Sequence, residues 1–241
     1  MADSQLYELL VLFDVDGTLV RGNHGHAQAY ADALRAVHGI DVCVDWRAVQ
    51  GMTDQQILHQ TLGVYDQERF TPEVVSSQMA SYFSEMADSF SRTLDTSEIA
   101  VCPGIDVLLP ELAERKALLG LATGNIVRIA RAKLSHVGIS DYFRIGGFGS
   151  DDKERATLVQ IAIERAGQNF GFEPALSNGV YENIFLFGDA PHDLHAGRSA
   201  RVRTIGVATG VYTIDQLRGN GEYHLFETLA DTERVLQVLG L

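Results

Sequence analysis

Short apolar runs recur along the chain, and each one ends in a small, polar or acidic residue. Uninterrupted runs of this kind are typical of strands that are buried on both faces of a parallel sheet. They predict strands at Leu9–Phe13, Ala117–Ala122, Ile184–Phe187 and Thr204–Val207, with weaker strands at Phe143–Phe148 and near Tyr223–Phe226.

Amphipathic segments with a helical period lie between these runs after about residue 100. They predict helices at Ile105–Arg115, Ile126–Ser135 and Arg155–Ala166, and a closing helix at Asp231–Leu239. Alternating strands and helices imply right-handed crossovers and a parallel sheet that is covered on both faces. The predicted fold class is therefore α/β, with a doubly wound, mostly parallel sheet and a Rossmann-like core.

Residues 21–99 follow a different pattern, because they are rich in Ala, Gln and Ser at helical spacing and contain no convincing buried strand. Glycine and proline mark both flanks, at Arg21-Gly22-Asn23 and Val101-Cys102-Pro103-Gly104, as expected of hinge segments. We predict that residues 1–20 and 100–241 form the core and that residues 21–99 form an inserted helical cap. The alternative is one continuous core that includes the insert.

The chain carries 32 acidic and 19 basic side chains, for a formal net charge of −13. Nucleic-acid binding needs a basic face, so no nucleic-acid partner is expected. Two distant cysteines, Cys43 and Cys102, argue against a disulfide framework and fit a reducing compartment. The polar start lacks the layout of a secretory signal, and no apolar run reaches about 20 residues. We expect a cytoplasmic protein without membrane contact, and the sequence indicates no oligomeric state.

Carboxylates and a hydroxyl follow three of the predicted strands. They are Asp14 and Asp16, then Thr123, then Asp189 and Asp193. Open α/β sheets bind ligands in the crevice beyond the carboxyl ends of their strands, so we expect these residues to share one crevice. As alternatives, either of the first two aspartates could be an ordinary turn or N-cap residue.

Four like charges in one crevice repel one another unless a cation lies among them. A hard divalent cation is the simplest solution, and Mg²⁺ fits an open site that keeps water and phosphate ligands. We predict that Asp14, Asp189 and Asp193 supply carboxylates and that the main-chain carbonyl of Asp16 supplies another oxygen. A calcium loop is disfavoured, because Gly25 stands where such a loop needs its terminal Glu.

Two alternatives to this metal site remain. Asp193 could be the N-cap of the following helix instead of a ligand. A transition-metal site could use imidazole ligands, the candidates being His24, His26, His192 and His195.

Thr123-Gly124-Asn125 stands where a predicted strand meets a predicted helix. A hydroxyl and free backbone N–H groups at the positive end of a helix suit a phosphoryl group. We therefore count Thr123 among the catalytic residues and Gly124 and Asn125 among those that bind substrate. A plain turn with Asn125 as N-cap is the alternative.

The strand ends resemble three of the four motifs of the haloacid dehalogenase superfamily of hydrolases: Asp14-Val15-Asp16-Gly17-Thr18, Thr123-Gly124-Asn125 and Gly188-Asp189-Ala190-Pro191-His192-Asp193. A cap segment, Gly51-Met52-Thr53-Asp54, resembles that of the phosphoglycolate-phosphatase-like members. The resemblance implies that Asp14 forms an aspartyl phosphate and that Asp16 is the general acid and base. It also implies a Mg²⁺-dependent phosphatase acting on a small phosphorylated metabolite, with Thr53 and Asp54 near the leaving group.

The family's third motif is usually a lysine ahead of a helix, often followed by proline, and this chain has no clean match. Arg155 opens a predicted helix at the matching position, and Lys153 lies two residues earlier in an acidic run. We choose Arg155 as the catalytic cation, because a guanidinium can span the nucleophile and a phosphoryl oxygen. Lys153 is kept as a substrate-binding alternative.

A sugar phosphomutase and a non-catalytic sensor of a phosphorylated ligand are the alternative functions.

Overall fold

The computed structural model describes residues 7–22, 24–42, 44–46, 48–94, 99–219 and 224–241. Strands within these residues are, in chain order, β1 (Leu10–Phe13), β2 (Val20–Arg21), β3 (Ala100–Val101), β4 (Leu118–Thr123), β5 (Ile145–Phe148), β6 (Leu176–Ser177), β7 (Val180–Gly188), β8 (Val202–Val207) and β9 (His224–Phe226). All of them except β2 and β3 belong to one seven-stranded sheet.

The strands of this sheet lie in the order β5-β4-β1-β7-β8-β9 and are all parallel, while β6 pairs antiparallel with β7. In chain order, β4 and β5 extend the sheet from β1 toward one edge, and β7, β8 and β9 then extend it on the other side of β1. Doubly wound sheets bind their ligands at such a reversal. Phe13 at the end of β1 pairs with Leu121 and with Phe187, so the residues after β1, β4 and β7 are neighbours. The predicted fold class is confirmed.

The helices within the described residues are α1 (His24–His38), α2 (Asp54–Tyr65), α3 (Pro72–Ser77), α4 (Met79–Thr93), α5 (Ile105–Glu114), α6 (Val127–His136), α7 (Arg155–Phe170), α8 (Pro191–Ser199), α9 (Ile214–Arg218) and α10 (Thr232–Leu239), with a 3₁₀ turn at Ser140–Tyr142. Side chains alternate along β1, as the period of a strand requires. Leu10 and Leu12 pack with α7 and α8, whereas Val11 and Phe13 pack with α5, α6 and α10. In the part of the chain described, no helix has the length and apolar character needed to cross a membrane.

The segment from the start of α1 to the end of α4, called the cap below, lies in sequence between β2 and β3. These two strands form a short antiparallel ribbon in which Val20 pairs with Val101 and Arg21 with Ala100. The chain therefore leaves and re-enters the core at one place, as an inserted module would. The boundary predicted at 20/21 divides β2 and the one predicted at 99/100 lies just before β3, and this division into domains stays a prediction.

The start of β7 is the main departure from the predicted strands, since β7 begins at Val180 and not at Ile184. Asn178-Gly179 forms the two-residue turn that joins β6 to β7, with φ of 50° and 82°. Positive φ at both central residues is typical of a type I′ hairpin, for which Asn-Gly is the strongest sequence signal. The first half of β7 alternates exposed and half-buried residues, so no apolar run marks it.

Some sequence predictions touch residues outside the described ranges, namely Asn23, Cys43, Tyr223 and the side chain of His24. Cys102 is described and buried. Burial and the nearby Asp189 carboxylate raise the pKa of its thiol to about 11, so this cysteine remains protonated and poorly reactive.

Candidate active site

A tight turn after β1 presents the first two carboxylates. The backbone N–H of Asp14 still donates to Phe187 O, at 2.9 Å, so its position is fixed by the sheet. The chain then reverses, because Gly17 N donates to Val20 O at 2.8 Å. Gly17 adopts φ of +80°, a left-handed conformation that favours glycine.

Three buried aspartates meet at this turn, since carboxylate oxygens of Asp14, Asp189 and Asp193 all lie within 4.8 Å of one another. Glycines make room for the central one. A Cβ atom would lie 2.4 Å from Asp189 Oδ2 if placed on Gly17, and 1.7 Å from it if placed on Gly210. Both distances are far below contact, so the loops before and after the cluster can close around Asp189 only without side chains.

The charges of this cluster are not balanced by protein groups alone. Burial and the Asp193 carboxylate raise the pKa of Asp14 to about 7, and Arg155 offsets this only in part. Burial and the carboxylates of Asp193 and Asp14 raise the pKa of Asp189 well above its ordinary value. Asp14 Oδ1 is buried and accepts no well-formed hydrogen bond within the described residues, although Arg155 Nη2 lies 3.1 Å away. Such a set of oxygen donors fits a hard divalent cation.

Both carboxylate oxygens of Asp193 accept hydrogen bonds from protein groups. Asp193 is the third residue of α8, and its Oδ2 accepts from Ala190 N at 3.1 Å, so it braces the helix start without being the N-cap. Its Oδ1 accepts a short hydrogen bond from Arg155 Nη2. Direct metal ligation by Asp193 stays a prediction, and both of its oxygens already have protein partners.

Histidines contribute nothing to this cluster. In the described part of the chain, the grouping of three or more side chains able to hold a metal ion consists of the three aspartates. His26 instead contacts Asp54 and Lys133, as described below. Among the described side chains, no grouping supports the alternative of a transition-metal site.

Arg155 lies at the first position of α7 and reaches the cluster with a nearly buried guanidinium. Its Nη2 lies 3.1 Å from Asp14 Oδ1 and also contacts Asp193, while its Nη1 donates to Gly51 O of the cap at 3.1 Å. Burial alone would lower the pKa of Arg155, but the Asp193 and Asp14 carboxylates raise it above its ordinary value. A permanent positive charge thus faces the predicted nucleophile.

Lys153 and Thr53 lie away from these carboxylates. The Lys153 side chain is exposed, and its carbonyl accepts from Thr53 Oγ1 at 2.9 Å. Thr53 is fully buried and caps α2, where its Oγ1 accepts from Gln56 N at 3.2 Å. Thr53 therefore has a capping and docking position and does not line the crevice, and its predicted place near the leaving group stays a prediction.

Asp16 has different hydrogen-bond partners from the three aspartates. Lys133 Nζ donates to its two oxygens at 2.7 and 2.9 Å, and Asn125 Nδ2 donates to Oδ2 at 2.8 Å. Burial alone would raise the pKa of Asp16, but Lys133, His26 and the Asn125 hydrogen bond together outweigh it and lower the pKa below its ordinary value. The metal contact predicted for the main-chain carbonyl of Asp16 stays a prediction.

The segment after β4 supports this arrangement. Asn125 is not a helix N-cap, since α6 is capped by Ile126. Its amide bridges Asp16 and Thr123 Oγ1, the latter at 2.9 Å. Thr123 is fully buried and is absent from the lining of the crevice, so its hydroxyl orients Asn125. Gly124 and Asn125 do line the crevice.

Asp54 joins the cap to this segment through two contacts and has a third contact within the cap. Its N–H donates to Gly124 O at 2.9 Å, and its Oδ2 accepts from Ile126 N at 2.8 Å. Its Oδ1 lies 3.1 Å from Nε2 of His26, on α1. Asp54 is thus placed at the rim of the crevice by both the cap and the core.

A cavity of about 640 Å³ lies between cap and core. Asp14, Asp16, Asp189 and Arg155 line it from the core. The cap side is mostly apolar and includes Trp46, Val49, Met52 and Ile57. The cavity therefore pairs a charged floor with an apolar roof, which suits a small molecule that carries one anionic group.

Lys133 is the site residue that our sequence reasoning missed. The buried stripe of α6 consists of Ile129, Ala130, Lys133 and Leu134, at the i, i+4 spacing of one helix face. A lysine inside an apolar stripe is unusual, because lysine is almost never fully buried unless it is paired. That interruption was the available signal.

The chain matches the haloacid dehalogenase-like hydrolase family over residues 11–207. It belongs to that family. "Probable phosphatase IndB" of Dickeya dadantii is 27% identical over 233 residues, which cover 92% of this chain and 90% of the relative. The phosphoglycolate phosphatase of Photorhabdus laumondii is 25% identical over 201 residues, which cover 83% of this chain and 80% of the relative. Phosphatases among its relatives support a phosphoric monoester hydrolase as the enzyme class.

Solved structures agree with the fold. A hydrolase from Pseudomonas syringae has a TM-score of 0.68 and 22% identity, over 96% of this chain and 99% of that chain. A likeness at this level of identity establishes a shared fold.

Proposed function

We propose that the protein is a Mg²⁺-dependent phosphatase that hydrolyses a small phosphomonoester through an aspartyl phosphate on Asp14. The observation that carries this proposal is the buried Asp14 carboxylate, which lies 3.1 Å from a fixed guanidinium and within 4.8 Å of two further carboxylates. A nucleophile, a cation and a set of metal ligands then stand at one strand end. Membership of the hydrolase family supports the same chemistry.

Asp14, Asp189 and Asp193 would hold the Mg²⁺, together with the main-chain carbonyl of Asp16. Carboxylate and carbonyl oxygens are the donors that this ion prefers. When bound, Mg²⁺ supplies positive charge to the phosphoryl oxygens and keeps its carboxylate ligands ionised.

The two carboxylates after β1 would divide the reaction between them. An Asp14 oxygen forms a bond to phosphorus while the bond from phosphorus to the leaving oxygen breaks, and Asp16 gives that oxygen a proton. Water then attacks phosphorus, Asp16 takes its proton, and the Asp14–phosphorus bond breaks to release inorganic phosphate. A bound phosphoryl dianion beside Asp16 raises its pKa, which favours the protonated form at the first step.

Arg155 and the segment after β4 would hold the phosphoryl group. The guanidinium already contacts Asp14, so it can bridge the nucleophile and a phosphoryl oxygen. Gly124 and Asn125 line the same cavity just before α6. Phosphoryl transfer depends mainly on positioning and charge, which these groups supply.

The substrate is proposed to be a small phosphorylated metabolite. A cavity of about 640 Å³ closed by the cap admits a compact leaving group beside the phosphoryl site. Phosphoglycolate is the first candidate to test, because a relative 25% identical to this chain carries the name phosphoglycolate phosphatase. Specificity would then depend on the cap residues of the apolar roof.

Release of inorganic phosphate from a panel of small phosphomonoesters, with Mg²⁺ or with a chelator, tests this function. We expect release that requires Mg²⁺ and is lost in Asp14→Asn. Transfer of the phosphoryl group back to a sugar without free phosphate would identify a phosphomutase. Binding without turnover across the panel would identify a sensor.

A further inference from the structure

Lys133 is a fully buried lysine at the centre of the Asp16 surroundings. Its Nζ lies 2.7 and 2.9 Å from the two Asp16 oxygens, 2.7 Å from Asn125 Oδ1 and 3.3 Å from His26 Nδ1. An ammonium group has three donors and no acceptor. Three neighbouring residues accept from it, so its hydrogen-bonding capacity is fully used.

This arrangement also determines the tautomer of His26. With Nδ1 accepting from Lys133, the ring hydrogen resides on Nε2, which lies 3.1 Å from Asp54 Oδ1. The assignment follows from the hydrogen-bond network. A continuous chain of polar contacts therefore runs from Asp54 through His26 and Lys133 to Asp16, from the cap to the predicted general acid.

The core anchors both ends of this chain. Asn125 bonds to both Lys133 and Asp16, and Asp54 accepts from Ile126 N at 2.8 Å. The Asp16 side chain keeps 32% of its surface exposed, and this part faces the cavity. Lys133 and Asn125 thus fix the orientation of a carboxylate that is still accessible to substrate.

We propose that Lys133, given the phosphatase activity proposed above, is a positioning residue that holds Asp16 toward the leaving-group oxygen and is itself held by His26 of the cap. Lys133 has no access to the substrate, because it is fully buried behind Asp16. Its effect must pass through the proton transfer that Asp16 performs.

Leaving-group dependence provides the test. p-Nitrophenyl phosphate has a good leaving group and needs little protonation, whereas an alkyl phosphomonoester needs a proton on its leaving oxygen. For Lys133→Met we expect kcat/KM to fall about 100-fold or more for the alkyl ester and less than about tenfold for p-nitrophenyl phosphate. The value of kcat/KM reports only the steps up to release of the leaving group, so the later hydrolysis of the aspartyl phosphate does not affect it. Lys116→Met is the matched control, since Lys116 is exposed, and both values should stay within about twofold of wild type.

A double variant separates positioning from general damage. If Lys133 acts through Asp16, Lys133→Met/Asp16→Asn has the same kcat/KM for the alkyl ester as Asp16→Asn alone, because the residues act as a unit. Losses that multiply would overturn the proposal.

His26→Phe is the second variant, to be used also if Lys133→Met fails to fold. A phenyl ring keeps the aromatic packing around this position, where the Tyr30 and Trp46 ring centroids lie 5.8 and 6.0 Å away. We expect about a tenfold loss for the alkyl ester and about twofold or less for p-nitrophenyl phosphate. Equal losses for both esters in an active, folded variant refute positioning, whereas a wild-type protein that hydrolyses neither ester refutes the phosphatase function itself.

Discussion

Asp14 and Asp16 are two residues apart at the end of one strand, yet their surroundings differ in nearly every respect. Asp14 lies among two other carboxylates and one guanidinium, all contributed by the core. Asp16 lies between an amide and a buried ammonium group that the cap also contacts. The first environment raises a carboxyl pKa and the second lowers one.

This difference shows how one turn can support two kinds of chemistry. Crowded carboxylates at Asp14 make a site that gains from a metal ion, which would return the nucleophile to its ionised form. Asp16 has its charge balanced by protein groups and has no need of the ion. The proposed metal binding and the proposed proton transfer therefore fall to carboxylates with different neighbours.

Among the tests of the difference between Asp14 and Asp16, the variant Asp14→Asn has the largest expected effect. We expect kcat to fall about 1,000-fold or more, because no covalent intermediate can form. The melting temperature should hold or rise, since one of three crowded charges is removed. Asp141→Asn, at an exposed position, is the matched control. An Asp14→Asn variant with more than a few per cent of wild-type activity would contradict the covalent route.

Removal of metal tests the Asp14 side alone. A chelator should lower the rate about 1,000-fold or more, and Mg²⁺ should restore it. Calcium should inhibit, because its larger shell allows bidentate carboxylate ligation that would occupy the nucleophile. Saturating Mg²⁺ should raise the melting temperature by roughly 5–10 °C, and Asp189→Asn should reduce that rise. Full activity in excess chelator is the contrary result.

Substitution of Arg155 and of Lys153 tests which of the two supplies the positive charge beside the proposed nucleophile. For Arg155→Ala we expect a loss of about 100-fold or more in kcat/KM, the scale of losing one well-placed electrostatic group. For Lys153→Ala the loss should be less than about fivefold, as for an exposed charge. The opposite ranking in a kinetic comparison would transfer the role to Lys153.

The smallest expected effect is on the pH dependence of stability without metal. The pKa of Asp14 is about 7 in the folded protein, against an ordinary value of 3.8. A raised pKa stabilises the fold at low pH, and that contribution is lost as the pH rises from about 4 through 7. The metal-free melting temperature should therefore fall by a few degrees between about pH 5 and pH 8. Thermal scans of Asp14→Asn should show a flatter profile, and an equally steep one would count against the crowding.

The fold and the two strand-end aspartates are predictable from sequence because both are local patterns. An apolar run that ends in Asp14 indicates both a buried strand and the residue at which that strand ends. Lys133 and Thr53 depend on contacts between distant segments. Lys133 is 117 residues from its partner Asp16, and the Thr53 hydroxyl meets a carbonyl 100 residues away. No local spacing indicates which partner such a side chain will find.

The central position of β1 has a consequence for how the protein is made. Leu10 pairs with Leu118 on one side and with Ile184 on the other, so the strand that leads into the proposed nucleophile has long-range pairings on both sides. Contacts of such sequence separation form slowly, since a long loop must close before they stabilise the chain. During synthesis β1 emerges early but has no complete set of neighbours until β7 has left the ribosome. The active site therefore cannot assemble on a partly synthesised chain.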